Sequence, residues 1–191
     1  MLANAIGFIL QTLFGLFSIT LLLRFYLQLT GAPFKNPFSQ AIVMTTNFAV
    51  IPARRIIPSF AGMDMSTLVL AFVTQFSLQV VLRLLSGFPF LVAGNIVWLA
   101  LIGLTIVDML RLSIYIFLYA VIAQAVLSWI NPYTPITPVL TALTNPILKP
   151  LRKLIPSPNG LDLTPVVVFI VAQLLLMLLV TPMEIAFLKM S

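Results

Sequence analysis

The sequence contains the same polar segment twice, and this duplication constrains the fold more than any other feature. Residues 46–66 read TNFAVIPARRIIPSFAGMDMS, and residues 144–164 read TNPILKPLRKLIPSPNGLDLT. The residues that recur without a gap are Thr46, Asn47, Pro52, Arg54, Ile57, Pro58, Ser59, Gly62 and Asp64, which return as Thr144, Asn145, Pro150, Arg152, Ile155, Pro156, Ser157, Gly160 and Asp162. Each copy lies between long apolar runs, so the pattern predicts a tandem duplication of one membrane unit.

The composition indicates a protein that has lipid as its solvent. Of the 191 residues, 61% are hydrophobic and only 7% are charged. A soluble domain of this size has too few polar groups here to cover its surface. The chain has no cysteine and no histidine, which excludes disulfides, a thiol nucleophile and imidazole or thiolate metal ligation within it.

Four apolar runs are long enough to cross a bilayer as helices. They cover about residues 4–29, 67–85, 105–130 and 165–181, and we expect Pro182 to end the last. We therefore predict an all-α membrane protein with four transmembrane helices arranged as two tandem repeats. Each repeat has the order helix, amphipathic connector, helix.

The apolar stretch before the third span is the ambiguous part. We divide the chain into a first repeat at 1–86, an inter-repeat segment at 87–104 and a second repeat at 105–191. The segment either forms a shallow re-entrant or interfacial element that turns at Gly94 and Asn95, or extends the third span at its N-terminus. A fifth span is the rival, and we favour four.

The basic residues predict the orientation. The two connectors, residues 31–66 and 131–164, contain Lys35, Arg54 and Arg55 in the first, and Lys149, Arg152 and Lys153 in the second. The positive-inside rule places both connectors in the cytoplasm, with both termini outside. The net charge of +6 then reflects topology and attraction to anionic lipid headgroups rather than direct nucleic-acid binding.

The prolines of the connectors predict broken helices. We expect an amphipathic interfacial helix over 38–50 and again over 138–148, each followed by a bent arm that carries the basic pair. Three interpretations of these cations stay open: they set topology only, they bind lipid headgroups and partners, or Arg54 pairs with Asp64 and Arg152 with Asp162. The copied asparagines, Asn47 and Asn145, are interpreted as helix caps rather than as links between helices.

Four charged residues fall within the spans: Arg24, Arg83, Asp108 and Arg111. Asp108 and Arg111 are three residues apart and can pair on one helical face. Arg83 is expected at the same level, and the cluster is interpreted as structural. Arg24 is expected to snorkel to the inner surface, whereas the second repeat has the uncharged Gln124 at the corresponding position.

No assembled catalytic group is recognisable. No two carboxylates share a predicted site, and the chain has no nucleophile–base pair and no phosphate-binding loop. We therefore expect no enzyme activity, no metal site and no cofactor.

The doubled P-x-basic-basic-x-I-P string, followed by G-x-D-x-S/T in a small four-span chain, resembles the YggT family, including its YlmG relatives. Arg24 matches the arginine that precedes the connector in that family. The departures are Gln124 at that place in the second repeat and Phe48 where proline is usual. The resemblance implies a proteobacterial inner-membrane protein linked to osmotic-stress tolerance, cell division and envelope organisation. Plastid relatives are linked to haem attachment to a cytochrome b, which would make this chain an assembly partner.

These observations predict a non-enzymatic integral inner-membrane protein with periplasmic termini. Its basic arms are expected to engage anionic lipids and membrane-protein partners. The rival is a small transporter or osmotically responsive channel, for which a homo-oligomer would supply the pore. Few polar residues are available to line a path through the spans: Gln11, Thr12, Gln75, Gln79, Gln124 and Gln173.

Overall fold

The computed structural model describes residues 2–60, 62–90, 94–154 and 162–190, and this part of the chain is helical without a β-strand. The helices are α1 (Leu2–Leu29), α2 (Pro37–Ile56), α3 (Met65–Leu85), α4 (Ile96–Ile130), α5 (Thr137–Leu154), α6 (Thr164–Leu175) and α7 (Thr181–Leu188). A π-helical turn, Leu176–Val180, joins α6 to α7. The predicted all-α fold class is confirmed.

Four helices of the described part are long and apolar enough to cross a membrane: α1, α3, α4 and the continuous helix Thr164–Leu188. Large apolar side chains such as Phe8, Met177 and Leu178 are exposed on these helices. Such exposure is unfavourable in water and normal against lipid. The protein is therefore a multi-pass membrane protein.

In its described residues, the inter-repeat segment contributes a helical extension rather than a fifth span. Helix α4 begins at Ile96 and continues to Ile130 over 35 residues, which is about 52 Å. Residues 96–104 therefore extend the third span at its N-terminus, which was one of the two alternatives predicted for this segment. Before it, Gly94 has a φ of +70°, and Phe90 stacks on Trp98 with ring centroids 5.5 Å apart.

The last span does not end at Pro182, and the prediction on this point was wrong. Proline lacks an N–H, and its ring clashes with the carbonyl four residues earlier in an α-helix. The chain widens to a π turn immediately before the proline, and the Thr181 N–H bonds to the Leu176 carbonyl five residues back. Thr181 Oγ1 donates to the same carbonyl at 2.9 Å. The helix therefore continues to Leu188.

The prolines of the connectors do not break their helices either. Pro52 lies inside α2, and Pro146 and Pro150 lie inside α5. The predicted division into a helix and a separate bent arm was therefore wrong. All three prolines are exposed, so the carbonyls left without an N–H partner lie on the outer side of each helix, while the inner face packs against the core and holds the helix together.

The core connects the two repeats. Its main cluster combines Leu21 and Leu22 of α1 with Ile116 and Ala120 of α4, and α2, α3 and α5 contribute further buried side chains. The connectors thus pack against the spans of both repeats, and this packing positions their charged ends.

Candidate functional site

The two connector helices each end in basic residues, and we name them the first arm (α2, Pro37–Ile56) and the second arm (α5, Thr137–Leu154). In the first arm, Arg54 Nε and Nη2 lie 3.2 and 2.5 Å from Asp64 Oδ2. The Asp64 side chain is 3% exposed and that of Arg54 is 45% exposed. The ion pair therefore fastens the end of the first arm to the start of α3.

A tight turn makes this pairing possible. Gly62 has a φ of +78°, a conformation that favours glycine, and Phe60 and Met63 exchange backbone hydrogen bonds of 3.1 and 2.9 Å around it. Ser66 Oγ then donates to the Ile57 carbonyl at 2.8 Å. These contacts return the chain from the arm to the next span within a few residues, past the exposed Pro58.

The second arm repeats the ion pair in a more exposed setting. Arg152 Nε and Nη2 each lie 2.9 Å from Asp162 Oδ2, and the Asp162 side chain is 41% exposed. Asp162 Oδ1 also accepts a hydrogen bond from the Thr164 backbone N–H at 3.0 Å. Partial burial raises the pKa of Asp162, but the hydrogen bonds from Thr164 and Arg152 outweigh it and lower that pKa. Pro156 and Gly160 lie outside the described residues.

The ion pairs account for one cation on each arm. Arg55, Lys149 and Lys153 are exposed, and they make no ion pair within the part of the chain that the structure describes. Of the three interpretations of the basic residues, the one in which arginine pairs with aspartate is correct for Arg54 and Arg152. The other cations are available to anionic groups outside the chain.

Arg24 is buried, contrary to the expectation that it snorkels. Its side chain is 4% exposed, and Nη1 donates to Thr46 Oγ1 at 2.7 Å and to Asn47 Oδ1 at 2.9 Å. A longer bond of 3.3 Å reaches the Val43 carbonyl. Asn47 therefore links α2 to α1 and is not a helix cap, because α2 continues past it and its amide faces the guanidinium.

The second repeat keeps this link without the charge. Gln124 accepts a hydrogen bond from Thr144 Oγ1 and donates to Thr141 Oγ1 at 3.3 Å. Asn145 makes no side-chain hydrogen bond within the described ranges and lies in the middle of α5. The cap predicted for it was wrong as well.

Three of the four charged residues predicted within the spans, Arg83, Asp108 and Arg111, belong to one cluster at α3 and α4 that extends to α7. Arg111 lies 3.3 Å from Asp108, as the spacing predicted, and Asp108 accepts a hydrogen bond from Gln79 Nε2 at 2.5 Å. Arg83 Nη1 donates to Gln79 Oε1 at 2.9 Å. The cluster is partly exposed and all its members are hydrogen-bonded.

Sequence reasoning missed one member of this cluster. Glu184 accepts two hydrogen bonds from Arg111, one of them 3.3 Å from Nη1 to Oε1. Because the last span was predicted to end at Pro182, Glu184 was predicted to lie outside the membrane. The available signal was its isolation, since it is one of only four acidic residues in the chain.

Among the described residues there is no group of three or more acidic side chains close enough to hold a metal ion.

The CCB3/YggT family model matches residues 3–85 and 103–183. This chain belongs to the CCB3/YggT family. The two matched regions fit the tandem organisation and confirm the resemblance.

Several curated relatives match over most of their length. The chain is 40% identical to the uncharacterised protein PA0392 of Pseudomonas aeruginosa, over 94% of this chain and 90% of that protein. It is 35% identical to an uncharacterised Vibrio alginolyticus protein, over 89% of this chain and 90% of that one. It is 32% identical to the uncharacterised protein YggT of Escherichia coli K12, over 86% of this chain and 83% of YggT. No solved structure matches.

Proposed function

We propose that this protein is a non-enzymatic component of the bacterial inner membrane whose two basic arms hold anionic lipids and membrane-protein partners. In this role it supports assembly of membrane complexes or maintenance of the envelope under osmotic stress. The observation that carries the proposal is that each arm has both a paired and an unpaired basic residue. One arginine of each arm is fastened to the next span, while Arg55, Lys149 and Lys153 point their charge outward.

The proposal places both arms on the cytoplasmic side and both termini in the periplasm, as the positive-inside rule favours. The chain has no cysteine, so single cysteines introduced at Ser59, Asn131, Ser86 and Asn95 report topology directly. A membrane-impermeant maleimide should label the sites at 86 and 95 from the periplasm, and those at 59 and 131 only after permeabilisation. Labelling of 59 and 131 from opposite sides would contradict the proposal.

The functional test neutralises the unpaired cations and keeps both ion pairs. A triple variant with Arg55, Lys149 and Lys153 changed to glutamine should fail to restore growth after an osmotic upshift in a strain that lacks the gene. Each basic residue near an anionic surface contributes about 1 kcal/mol to membrane attraction, so the triple variant should lose about 3 kcal/mol of it. Lys189→Gln is the control and should restore growth, because Lys189 lies at the C-terminal end of the last helix and outside both arms.

The same cysteine labelling must show unchanged topology in the triple variant. If a correctly oriented triple variant fully restores growth, these cations act only as topology signals and the proposal is overturned. Proximity labelling from the arms, compared between the wild type and the triple variant, identifies the partners that depend on the charge.

The second candidate function is a small transporter or osmotically responsive channel, which the charged cluster around Arg111 favours, because charges within spans often mark ion paths. Against it, Gln79 and Gln124 are bonded to other side chains of the protein, so they are not free to line a path. Ion flux through purified protein in liposomes separates the two. Robust flux that Arg111→Gln abolishes would replace the first proposal.

A further inference from the structure

Gln173 faces lipid on α6 and has no hydrogen-bonding partner in the described part of the chain. It is exposed on the membrane-crossing helix Thr164–Leu188, and none of the hydrogen bonds of the described residues involves its amide. The large side chains around it, Phe169, Ile170 and Met177, are apolar and exposed as well. An amide without a partner is unfavourable in hydrocarbon, because lipid chains offer neither a donor nor an acceptor. Gln173 therefore requires a partner from another molecule.

The depth of Gln173 excludes water and lipid headgroups as that partner. The exposed Arg152–Asp162 ion pair lies just before the helix that begins at Thr164, and it marks the membrane surface. Gln173 lies about 14 Å along the helix from Thr164, close to the middle of a hydrocarbon layer about 30 Å thick. The stem of glutamine is shorter than those of lysine and arginine, which snorkel to the surface. The partner is therefore another protein within the membrane.

The first repeat shows the corresponding face in a covered state. When the two polar segments are aligned, Gln173 corresponds to Gln75 of α3, and Gln75 is only 5% exposed. One turn earlier, Phe169 corresponds to Ala71. Ala71 is buried in the main core cluster, to which α1 and α4 also contribute, whereas Phe169 is exposed. Other helices thus cover this face of α3, and in the described part of the chain none covers the same face of α6.

A second copy of this chain is the partner that fits the face. A glutamine amide contains both donors and an acceptor, so two such amides are complementary to each other. All copies insert into the membrane in one orientation, so a two-fold axis that relates two of them runs along the membrane normal. Such an axis places each residue of a helix beside it opposite the same residue of the other copy. Glutamine side chains stabilise contacts between membrane helices through bonds of this kind.

We infer that two copies associate in the membrane through this face of α6, with the two Gln173 amides hydrogen-bonded to each other across the two-fold axis. The contact goes beyond the proposed function, because it does not involve the arm cations. Gln11 is also exposed on a span, but it lines a pocket with Ser86, which follows the end of α3. Its amide therefore lies near the membrane surface, where water can bond to it.

The first test is disulfide cross-linking between copies of the full-length protein in native membranes, since the chain has no cysteine of its own. Met177 lies one turn beyond Gln173 on the same face, and Met177→Cys should give a cross-linked dimer on oxidation. Leu178→Cys is the matched control and should give no dimer above background. The two side chains are similarly exposed, at 69% and 67%, but they point in directions about 100° apart.

The second test measures how strongly the copies associate. Energy transfer between donor-labelled and acceptor-labelled copies in liposomes, measured over a range of protein-to-lipid ratios, gives the dissociation constant of the dimer. Gln173→Leu should raise this constant roughly eightfold, which corresponds to the loss of two hydrogen bonds between membrane helices. Gln11→Leu, the same substitution at an exposed glutamine of another span, should leave it unchanged. The triple variant of the arm cations should also dimerise like the wild type.

Equal cross-linking at 177 and 178 would overturn the inference, as would an unchanged dissociation constant for Gln173→Leu. Thermal unfolding in detergent shows that each variant is folded. A cross-link from 177 only to a protein of different mass would assign the face to another membrane protein and would also overturn the inference. If the wild type is monomeric and osmotic growth still depends on the arm cations, the proposed function survives without the dimer. Dimers that require Gln173, combined with full growth of the triple variant, would reject the proposed function alone.

Discussion

The first and second arms carry the same motif in different environments. Asp64 of the first is buried, and Asp162 of the second is 41% exposed. The outer face of the first arm presents Met44, Phe48 and Ile51, all exposed; the corresponding residues of the second are Ala142, Pro146 and Lys149.

The comparison shows that both repeats keep the ion pair between the arm and the next span, whereas the residues on the outer faces of the two arms differ. An apolar outer face with a single terminal cation suits immersion in the acyl region. A face with two lysines suits contact with headgroups. The arms therefore share a scaffold and differ in what they offer to the membrane, and the following experiments test that difference.

The largest effect is expected from removing the carboxylate of the buried ion pair in the first arm, with the exposed pair of the second arm as its comparison. Asp64→Ala leaves the partly buried Arg54 with only its 3.4 Å hydrogen bond to Gln28 Oε1 and should lower the free energy of unfolding by about 2–3 kcal/mol. Asp162→Ala removes a solvent-exposed pair and should cost less than about 1 kcal/mol. Unfolding in detergent, followed by tryptophan fluorescence, measures both. Equal losses would show that the two arms are fastened alike.

The next effect compares the links between each arm and its preceding span. Arg24→Ala removes three hydrogen bonds between helices and should cost about 2 kcal/mol, and Gln124→Ala removes two and should cost about 1 kcal/mol, at roughly 0.6 kcal/mol for each bond in a membrane protein. The same unfolding assay applies, with Lys189→Ala as the control. A larger loss at Gln124 would contradict the view that the first arm is held more firmly.

The smallest effect is a pH response of the second arm. Because the pKa of Asp162 is lowered in the folded protein, its stabilising contribution is present above the ordinary carboxyl pKa of about 3.9 and is lost as the pH falls through the folded value. A spin label on Leu154→Cys should therefore become more mobile only below about pH 4.

The control for this experiment is Asp162→Asn, which should make the label at 154 equally mobile at every pH. A pH response that persists in Asp162→Asn would assign the titration to another group.

The sequence by itself determined the duplicated architecture and the pairing of charges. Apolar length sets the number of spans because lipid tolerates only helices with satisfied backbones. The ten-residue spacing from arginine to aspartate is the same in both repeats, and both pairs form. The Asp108–Arg111 pair also followed from spacing along one helix.

Tertiary structure decided the points at which local rules compete with packing. Proline and asparagine favour breaks and caps locally, yet α2 and α5 continue through their prolines and Asn47 bonds to Arg24. The π turn before Pro182 similarly carries Glu184 to Arg111. In each case the partner comes from a distant helix, and a pattern within one segment contains no information about which distant helix will lie beside it.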